Sequence, residues 1–263
     1  MLEVLGYIGA LCIGLVLGIT GGGGSILTVP ILVYVLHYNP LIATAYSLFI
    51  VGTTSAFGTL QNFKKGLVAP KPAFLFAAPS LLGVYFTRKF LIHWLPDTLL
   101  YIGSFQLSKA TFLMLLFAVV MALAAYSMLK SSASNEINTA KSKPLFFVVL
   151  QLFFVGILIG LIGAGGGFLI IPALIKIAKL PIKKAIGTSL FIITINSLLG
   201  FVGDVENTVI AWSFLIPFTI TSIIGIFIGM RIQQHINEKY LKTIFGYFVL
   251  IMSFIIFYKE IFS

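Results

Sequence analysis

The chain has 263 residues, of which 59% are hydrophobic and only 9% are charged, and its mean hydropathy is +1.11. Soluble domains carry about 25% charged residues, so this composition excludes a water-soluble protein. The 17 Lys and Arg residues outnumber the 7 Asp and Glu residues, but they lie in short gaps between apolar runs, where basic residues orient a membrane protein. We therefore predict an all-α integral membrane protein, multi-pass in the cell (inner) membrane, that does not bind nucleic acid.

Ten apolar runs follow one another along the chain. Five lie at about 4–20, 26–37, 41–60, 72–87 and 110–129, and five more at about 145–162, 168–178, 185–202, 209–229 and 241–258. At about 20 residues per crossing, these runs predict about 8 to 10 membrane segments. The only polar stretch of any length divides them, which gives a first transmembrane repeat (1–129), a polar linker (130–144) and a second transmembrane repeat (145–263).

A constant offset of 142 residues relates the two halves. Chance similarity between apolar segments would not keep one register while also pairing glycine, proline and serine, so we interpret the offset as an internal duplication. The paired positions include Gly18 and Gly160, Pro30 and Pro172, Ser47 and Ser189, Ser80 and Ser222, and Gly83 and Gly225.

The basic residues predict how the halves are oriented. If 4–20 and 26–37 form a hairpin that returns to its own side, and 145–162 and 168–178 do the same, thirteen of the 17 Lys and Arg residues collect on one side. A single span over 4–37 divides them 10 to 7 instead. The positive-inside rule favours the hairpin, with the linker 130–144 cytoplasmic and both termini outside. Five segments per half is an odd number, so we predict two inverted repeats, each a broken-helix hairpin plus three transmembrane helices.

Glycine clusters mark the tips of both predicted hairpins. At 1.5 Å per residue, 26–37 reaches only about 18 Å, short of a bilayer core of about 30 Å. Glycine allows a positive φ and a close approach to the backbone, and N–H groups at a helix start can bind an anion without a charged side chain. We expect Ser25 to cap the helix that follows the first cluster. The predicted binding residues of the clusters are Gly21, Gly22, Gly23, Gly24 and Ser25, and Gly163, Gly165, Gly166 and Gly167.

Hydroxyl and amide side chains near the clusters complete the predicted substrate site: Ser47, Thr54, Thr188, Ser189 and Asn196. Asn196 is the strongest of these candidates because it is an amide within an apolar run, although such groups also bond across membrane helices. Pro30 and Pro172 interrupt short helices and are predicted hinges.

Close helix packing is the alternative explanation for the glycines. We expect it for the isolated pairs Gly14/Gly18 and Gly156/Gly160, and it stays open for the two clusters.

All Asp, Glu, Lys and Arg residues fall at the edges of the apolar runs or between them. This distribution argues against a carboxylate proton relay and against a cation pump, and it fits an anion held by backbone dipoles. The motifs HExxH and GxSxG, a Walker loop and a Cys/His cluster do not occur in the sequence. We therefore predict no enzyme, no cofactor and no metal site.

The duplicated motif resembles that of the TauE/SafE sulfite-exporter family, in which a Gly-rich turn leads through an apolar run to Pro and then to an Ala-x-x-x-Ser-Leu helix, twice. Here the motif reads Gly-Ile-Thr-Gly-Gly-Gly-Gly-Ser-Ile-Leu-Thr-Val-Pro at 18–30 with 43–48, and Gly-Ala-Gly-Gly-Gly-Phe-Leu-Ile-Ile-Pro at 163–172 with 185–190. The resemblance covers nearly the whole chain and implies export of small sulfur-containing anions, with both Gly turns and the Ser47 and Ser189 helices around the path. Tyr46 in the place of Thr188, and Ala45 in the place of Gly187, suggest that the first half of the site is narrower or lacks a hydroxyl.

The leading hypothesis is a secondary transporter that exports sulfite, sulfonate or similar anions by alternating access around the two Gly-rich breaks. Its partners would be a small anionic substrate and the lipid bilayer, and a homodimer is one option for its assembly. The alternatives are a carrier of another small organic anion or neutral solute and a non-transporting membrane scaffold.

Overall fold

The computed structural model describes residues 2–102, 105–130, 145–205, 210–236 and 238–262. In the first half, the helices are α1 (Leu2–Thr20), α2 (Gly24–Pro30), α3 (Pro40–Lys64), α4 (Pro70–Phe86) and α5 (Lys109–Lys130). A π-helical turn, Ile31–Val35, continues α2, and another, Thr87–Leu91, continues α4 into a short turn, Ile92–Trp94. In the second half, the helices are α6 (Leu145–Ile162), α7 (Gly167–Lys176), α8 (Ile182–Val205), α9 (Trp212–Gln233) and α10 (Glu238–Phe262).

These helices coincide with the ten apolar runs and confirm an all-α membrane protein. Within the described residues, four helical stretches are long and apolar enough to cross a membrane by length and composition: Pro40–Lys64, Lys109–Tyr126, Ile182–Val205 and Trp212–Gln233. The total number of crossings stays a prediction. The sequence did not predict the antiparallel hairpin of β1 (Thr98–Ile102) and β2 (Phe105–Ser108) between α4 and α5. The predicted linker lies outside the described residues, apart from Lys130.

Helices α1 and α2 lie side by side and antiparallel. Gly6 packs against Leu36 and Gly9 against Ile31, while Gly24, at the start of α2, packs against Ile13. Helix α2 and its π turn together cover 12 residues, which is about 18 Å at 1.5 Å per residue and shorter than a bilayer core. The chain therefore reverses at the first glycine cluster.

Two pairs of helices cross at glycines with their backbones in contact. Helix α1 packs on α9, where Gly14 touches the backbone of Ser222 and Gly225 touches that of Leu11. Helix α4 packs on α6 through the equivalent positions, with Gly156 on the backbone of Ser80. The predicted packing role of the isolated glycines is thus confirmed, because a Cβ at any of these positions would collide with backbone.

Helices α3 and α8 run antiparallel through the centre of the molecule. Along α3, Leu48, Gly52 and Gly58 in turn contact Gly200, Leu198 and Leu190 of α8. Residue numbers rise along one helix while they fall along the other. The offset of 142 relates α3 to α8, so these two equivalent helices point in opposite directions.

Helices α5 and α10 support the glycine turns from outside. Phe117 and Met114 of α5 belong to one buried cluster with Phe168 of α7 and Ile26 of α2. The Ser253 hydroxyl of α10 donates to the Ala118 carbonyl at 2.9 Å. Large apolar side chains cover the outer surface, with Leu82, Phe146 and Phe254 exposed by 65%, 71% and 67%. Such a surface suits contact with lipid rather than water.

Candidate functional site

The first glycine turn is closed by its own hydroxyl groups. Gly21 has a φ of +73°, and the Gly23 N–H donates to Thr20 Oγ1 at 2.8 Å. Gly23 is the N-cap of α2, and the Ser25 hydroxyl donates to the Gly22 carbonyl at 2.6 Å. The prediction that Ser25 caps this helix is therefore wrong, because its hydroxyl bonds to a carbonyl behind it instead of accepting from an N–H ahead.

The second glycine turn is more strongly twisted. Gly163, Gly165 and Gly166 have φ values of +68°, +64° and +72°, which only glycine adopts readily. Gly166 is the N-cap of α7, and its carbonyl accepts from Leu169 and Ile170. The N–H groups of Gly165 and Gly167 find no acceptor among the described residues. This turn therefore offers backbone donors at the start of a helix.

The two turns meet at the centre of the molecule. A Cβ placed on Gly22 would lie 2.5 Å from the carbonyl carbon of Gly167, so the two backbones are in contact. The Ser189 hydroxyl of α8 lies 2.7 Å from the Gly21 carbonyl and 2.8 Å from the Ile186 carbonyl of its own helix. The structure thus brings both predicted clusters and Ser189 together.

Helices α3 and α8 contain buried hydroxyl groups without hydrogen-bond partners, and one of them lies at the second glycine turn. Among the described residues, Ser47 Oγ, Ser55 Oγ and Ser197 Oγ have no hydrogen-bond partner. Ser197 Oγ lies 2.9 Å from the position that a Cβ on Gly165 would occupy. A buried polar group normally has a partner, so an unpaired hydroxyl against a glycine turn suits a ligand. Ser55 and Ser197 were not among the predicted site residues, although the offset of 142 pairs them.

Thr54 and Asn196 bond to equivalent partners across the halves. The Asn196 side-chain N–H donates to Ser80 Oγ at 2.8 Å, and the Thr54 hydroxyl donates to Ser222 Oγ at 3.2 Å. The offset relates Thr54 to Asn196 and Ser80 to Ser222. Asn196 Oδ1 has no partner among the described residues, so this side chain both joins two helices and keeps one acceptor open.

Tyr46 and Thr188 form the same contact in the two halves. The Ala211 N–H donates to the Tyr46 hydroxyl at 2.7 Å, and the Ala69 N–H donates to Thr188 Oγ1 at 3.0 Å. Each hydroxyl therefore holds the chain just before α9 or α4. Thr188 is bonded to this segment rather than to the glycine turn, and Tyr46 supplies an equivalent hydroxyl.

Neither predicted hinge proline stops the helical course of the chain. Pro30 is the last residue of α2 before the π-helical turn, and Pro172 lies inside α7, which continues to Lys176. Proline supplies no N–H to the helical ladder, and the wider turn after Pro30 follows that interruption.

A buried ion pair, which was not predicted from the sequence, joins α8 to the turn after α4. Arg88, in the π-helical turn after α4, donates from Nη1 to Asp204 Oδ2 of α8 at 3.1 Å. The two side chains are 1% and 6% exposed. Asp204 is the second-last residue of a candidate membrane span, so it stands at the edge of an apolar run as predicted, yet its side chain is buried within the protein. The sequence did not indicate this pair, because a charged residue at the edge of an apolar run normally reaches the membrane interface. The partner is also 116 positions away along the chain.

Among the described residues, no group of three or more His, Cys, Asp or Glu could hold a metal ion.

Comparison with known proteins places this architecture in context. A family model described as sulfite exporter TauE/SafE matches residues 7–256. The chain is similar to a probable membrane transporter protein of Xylella fastidiosa (strain 9a5c), with 28% identity over 255 residues, 94% of this chain and 92% of the relative. It is also similar to the probable membrane transporter protein YunE of Bacillus subtilis (strain 168), with 26% identity over 283 aligned positions, 100% of this chain and 98% of the relative. No solved structure matches the chain.

Proposed function

Because this chain belongs to the sulfite exporter TauE/SafE family, we propose that it is a secondary transporter that exports small sulfur-containing anions, such as sulfite or a sulfonate, by alternating access. The two glycine turns form the centre of its path. The observation that carries the proposal is the contact between the turns, Gly22 against Gly167, with unpaired donors and hydroxyl groups around it.

An inverted repeat supports alternating access, because two halves of opposite orientation can open a central site to either side. The antiparallel course of α3 and α8 fits such an inversion. So do the exchanged contacts Thr54–Ser222 and Asn196–Ser80, each of which joins one half to the other. The proposed topology places the linker in the cytoplasm and both termini outside, as the basic residues predict.

Anion binding at the turns rests on backbone chemistry. The second turn presents the N–H groups of Gly165 and Gly167 next to the unpaired Ser197 hydroxyl. Such donors at a helix start favour negative charge. The family name favours a sulfur oxyanion over a carboxylate.

Flux into liposomes that contain the purified protein tests this function. We expect saturable uptake of radioactive sulfite or methanesulfonate, with competition by the other anion. Gly23→Leu and Gly165→Leu should abolish flux while the protein still inserts and remains monodisperse. Gly66→Leu is the matched control, because Gly66 has a φ of +66°, close to that of Gly165, and nothing lies within 4 Å of its Cβ position.

Unchanged flux in both Gly23→Leu and Gly165→Leu would refute the proposed path. Stronger competition by acetate or a neutral solute than by sulfite would support the alternative carrier. Absence of flux for every solute, in folded protein, would favour a membrane scaffold.

A further inference from the structure

The guanidinium of Arg88 is held by one nitrogen only. Nη1 donates to Asp204 at 3.1 Å and to Thr44 Oγ1 at 3.2 Å. Nε and Nη2 have no hydrogen-bond partner among the described residues, although the side chain is only 1% exposed. A buried donor without a partner is costly, and more so when it is charged.

The unpaired edge of Arg88 lies against the second glycine turn. A Cβ on Gly163 would collide with Nη2 of Arg88 and with Thr44. Glycine at this position therefore leaves the room that the guanidinium occupies. Nε and Nη2 together form the fork with which arginine binds two oxygens of one carboxylate, sulfonate or phosphate group.

We propose that Arg88 is the cationic element of an oxyanion-binding site at the Gly163 turn, with Asp204 and Thr44 holding the guanidinium so that its Nε–Nη2 edge is available to the anion. This inference deepens the proposed transport function and rests on it. It assigns the substrate class more narrowly, to anions with at least two oxygens on one centre.

The equivalent place in the other half contains no charge. The offset of 142 relates Arg88 to Met230 and Asp204 to Asn62. Both equivalents are buried, and the Asn62 side chain donates to the carbonyl of Gly58 in its own helix. Arg88 also lies in a π-helical turn, whereas Met230 lies in the regular helix α9. Since π turns inside helices are frequent at functional sites, this local difference points to a role that only one half has.

A double substitution that copies the uncharged half tests the proposal. R88M/D204N replaces the ion pair with the two residue types found at the equivalent positions. Neutral replacement of a whole buried pair is often tolerated, whereas loss of one partner leaves an uncompensated charge. R88K keeps the charge and removes the fork. Lys89→Met removes a neighbouring cation and is the control.

The measurement is thermal unfolding of the purified protein in detergent, titrated with sulfite, methanesulfonate and acetate at constant ionic strength. A ligand that binds the folded state raises the unfolding temperature. We expect oxyanion-dependent stabilisation of the wild type and of Lys89→Met. R88M/D204N should bind at least about tenfold more weakly, which corresponds to the loss of about 1.4 kcal/mol, and R88K should lie between.

An unchanged dissociation constant in R88M/D204N would overturn the proposal, as would a wild type that no oxyanion stabilises. If the double variant does not fold, R88K decides: wild-type affinity in R88K would overturn the role of the fork. Flux that R88M/D204N leaves intact would separate the two claims, since transport would stand and the Arg88 site would fail. Binding that depends on Arg88, in a protein that shows no flux, would support the Arg88 site and refute the transport function.

Discussion

Gly22→Ala tests whether the contact between the glycine turns holds the molecule together. The added Cβ would lie 2.5, 2.7 and 2.9 Å from the carbonyl carbon, the Cα and the carbonyl oxygen of Gly167. Carbon atoms in ordinary contact are about 3.5–4.0 Å apart, so the two turns would have to separate by about 1 Å. All three opposing atoms belong to the backbone, and no side-chain rotation can relieve the collision.

The expected cost follows from two contributions. Overpacking a tight interior typically costs about 1–3 kcal/mol, and we expect the upper end because the backbone must move. Separation of the turns would also stretch the bond from Ser189 to the Gly21 carbonyl, now 2.7 Å, which is worth about 1 kcal/mol. In a chain of this size, each kcal/mol lowers the unfolding temperature by roughly 2–4 °C.

Thermal unfolding in detergent and sulfite flux in liposomes measure the two consequences. Gly58→Ala is the matched control, because its Cβ would meet the end of the flexible Ile226 side chain at 2.6 Å, which can turn away. Alanine is also favoured over glycine inside a helix by about 1 kcal/mol, so the control should be neutral or slightly stabilised.

Equal unfolding temperatures for Gly22→Ala and Gly58→Ala would refute the reasoning, because the turns would then be free to move apart. A destabilised Gly22→Ala with full flux would show that the contact is structural only.

Two further predictions concern backbone strain and orientation. Gly66→Ala should lower the free energy of unfolding by about 1 kcal/mol from its φ of +66° alone. Gly163→Ala should cost more, because Thr44 occupies the place of its Cβ. The unfolding temperatures of the two variants test this order. The orientation can be tested in a Cys12→Ser background, which removes the sole cysteine. Lys259→Cys should react with an impermeant maleimide added outside intact cells, whereas Lys64→Cys should react only after permeabilisation. The reverse pattern would contradict the predicted topology.

The sequence was a good guide to the helices and to their relationship between the halves. Continuous apolar composition located every run, including the short ones that follow the glycine clusters, because membrane segments are predominantly apolar. The glycine clusters marked the reversals because four adjacent glycines disfavour a helix. The offset of 142 also relates two observed contacts, because it carries the Thr54–Ser222 bond onto the Asn196–Ser80 bond.

The sequence was a poor guide wherever the surroundings of a side chain depend on the fold rather than on its neighbours along the chain. Arg88 stands at the end of an apolar run, and only the approach of Asp204 and Thr44 shows that it is buried. Ser25 matched the composition of a cap, but the fold of the turn placed its hydroxyl on the Gly22 carbonyl. The strands Thr98–Ile102 and Phe105–Ser108 lie in a gap that a search for helix-length runs passes over.

The glycine crossings have a mechanical consequence. Helix α1 packs on α9, and α4 packs on α6. Each close-packed pair therefore contains one helix from each half of the chain. A body that moves as a unit must keep such a pair intact, and it therefore contains residues from both sides of the linker. The repeats are units of sequence, whereas each of these close-packed helix pairs combines both repeats. Each half alone would leave its glycine-lined helices uncovered, so neither is complete without the other.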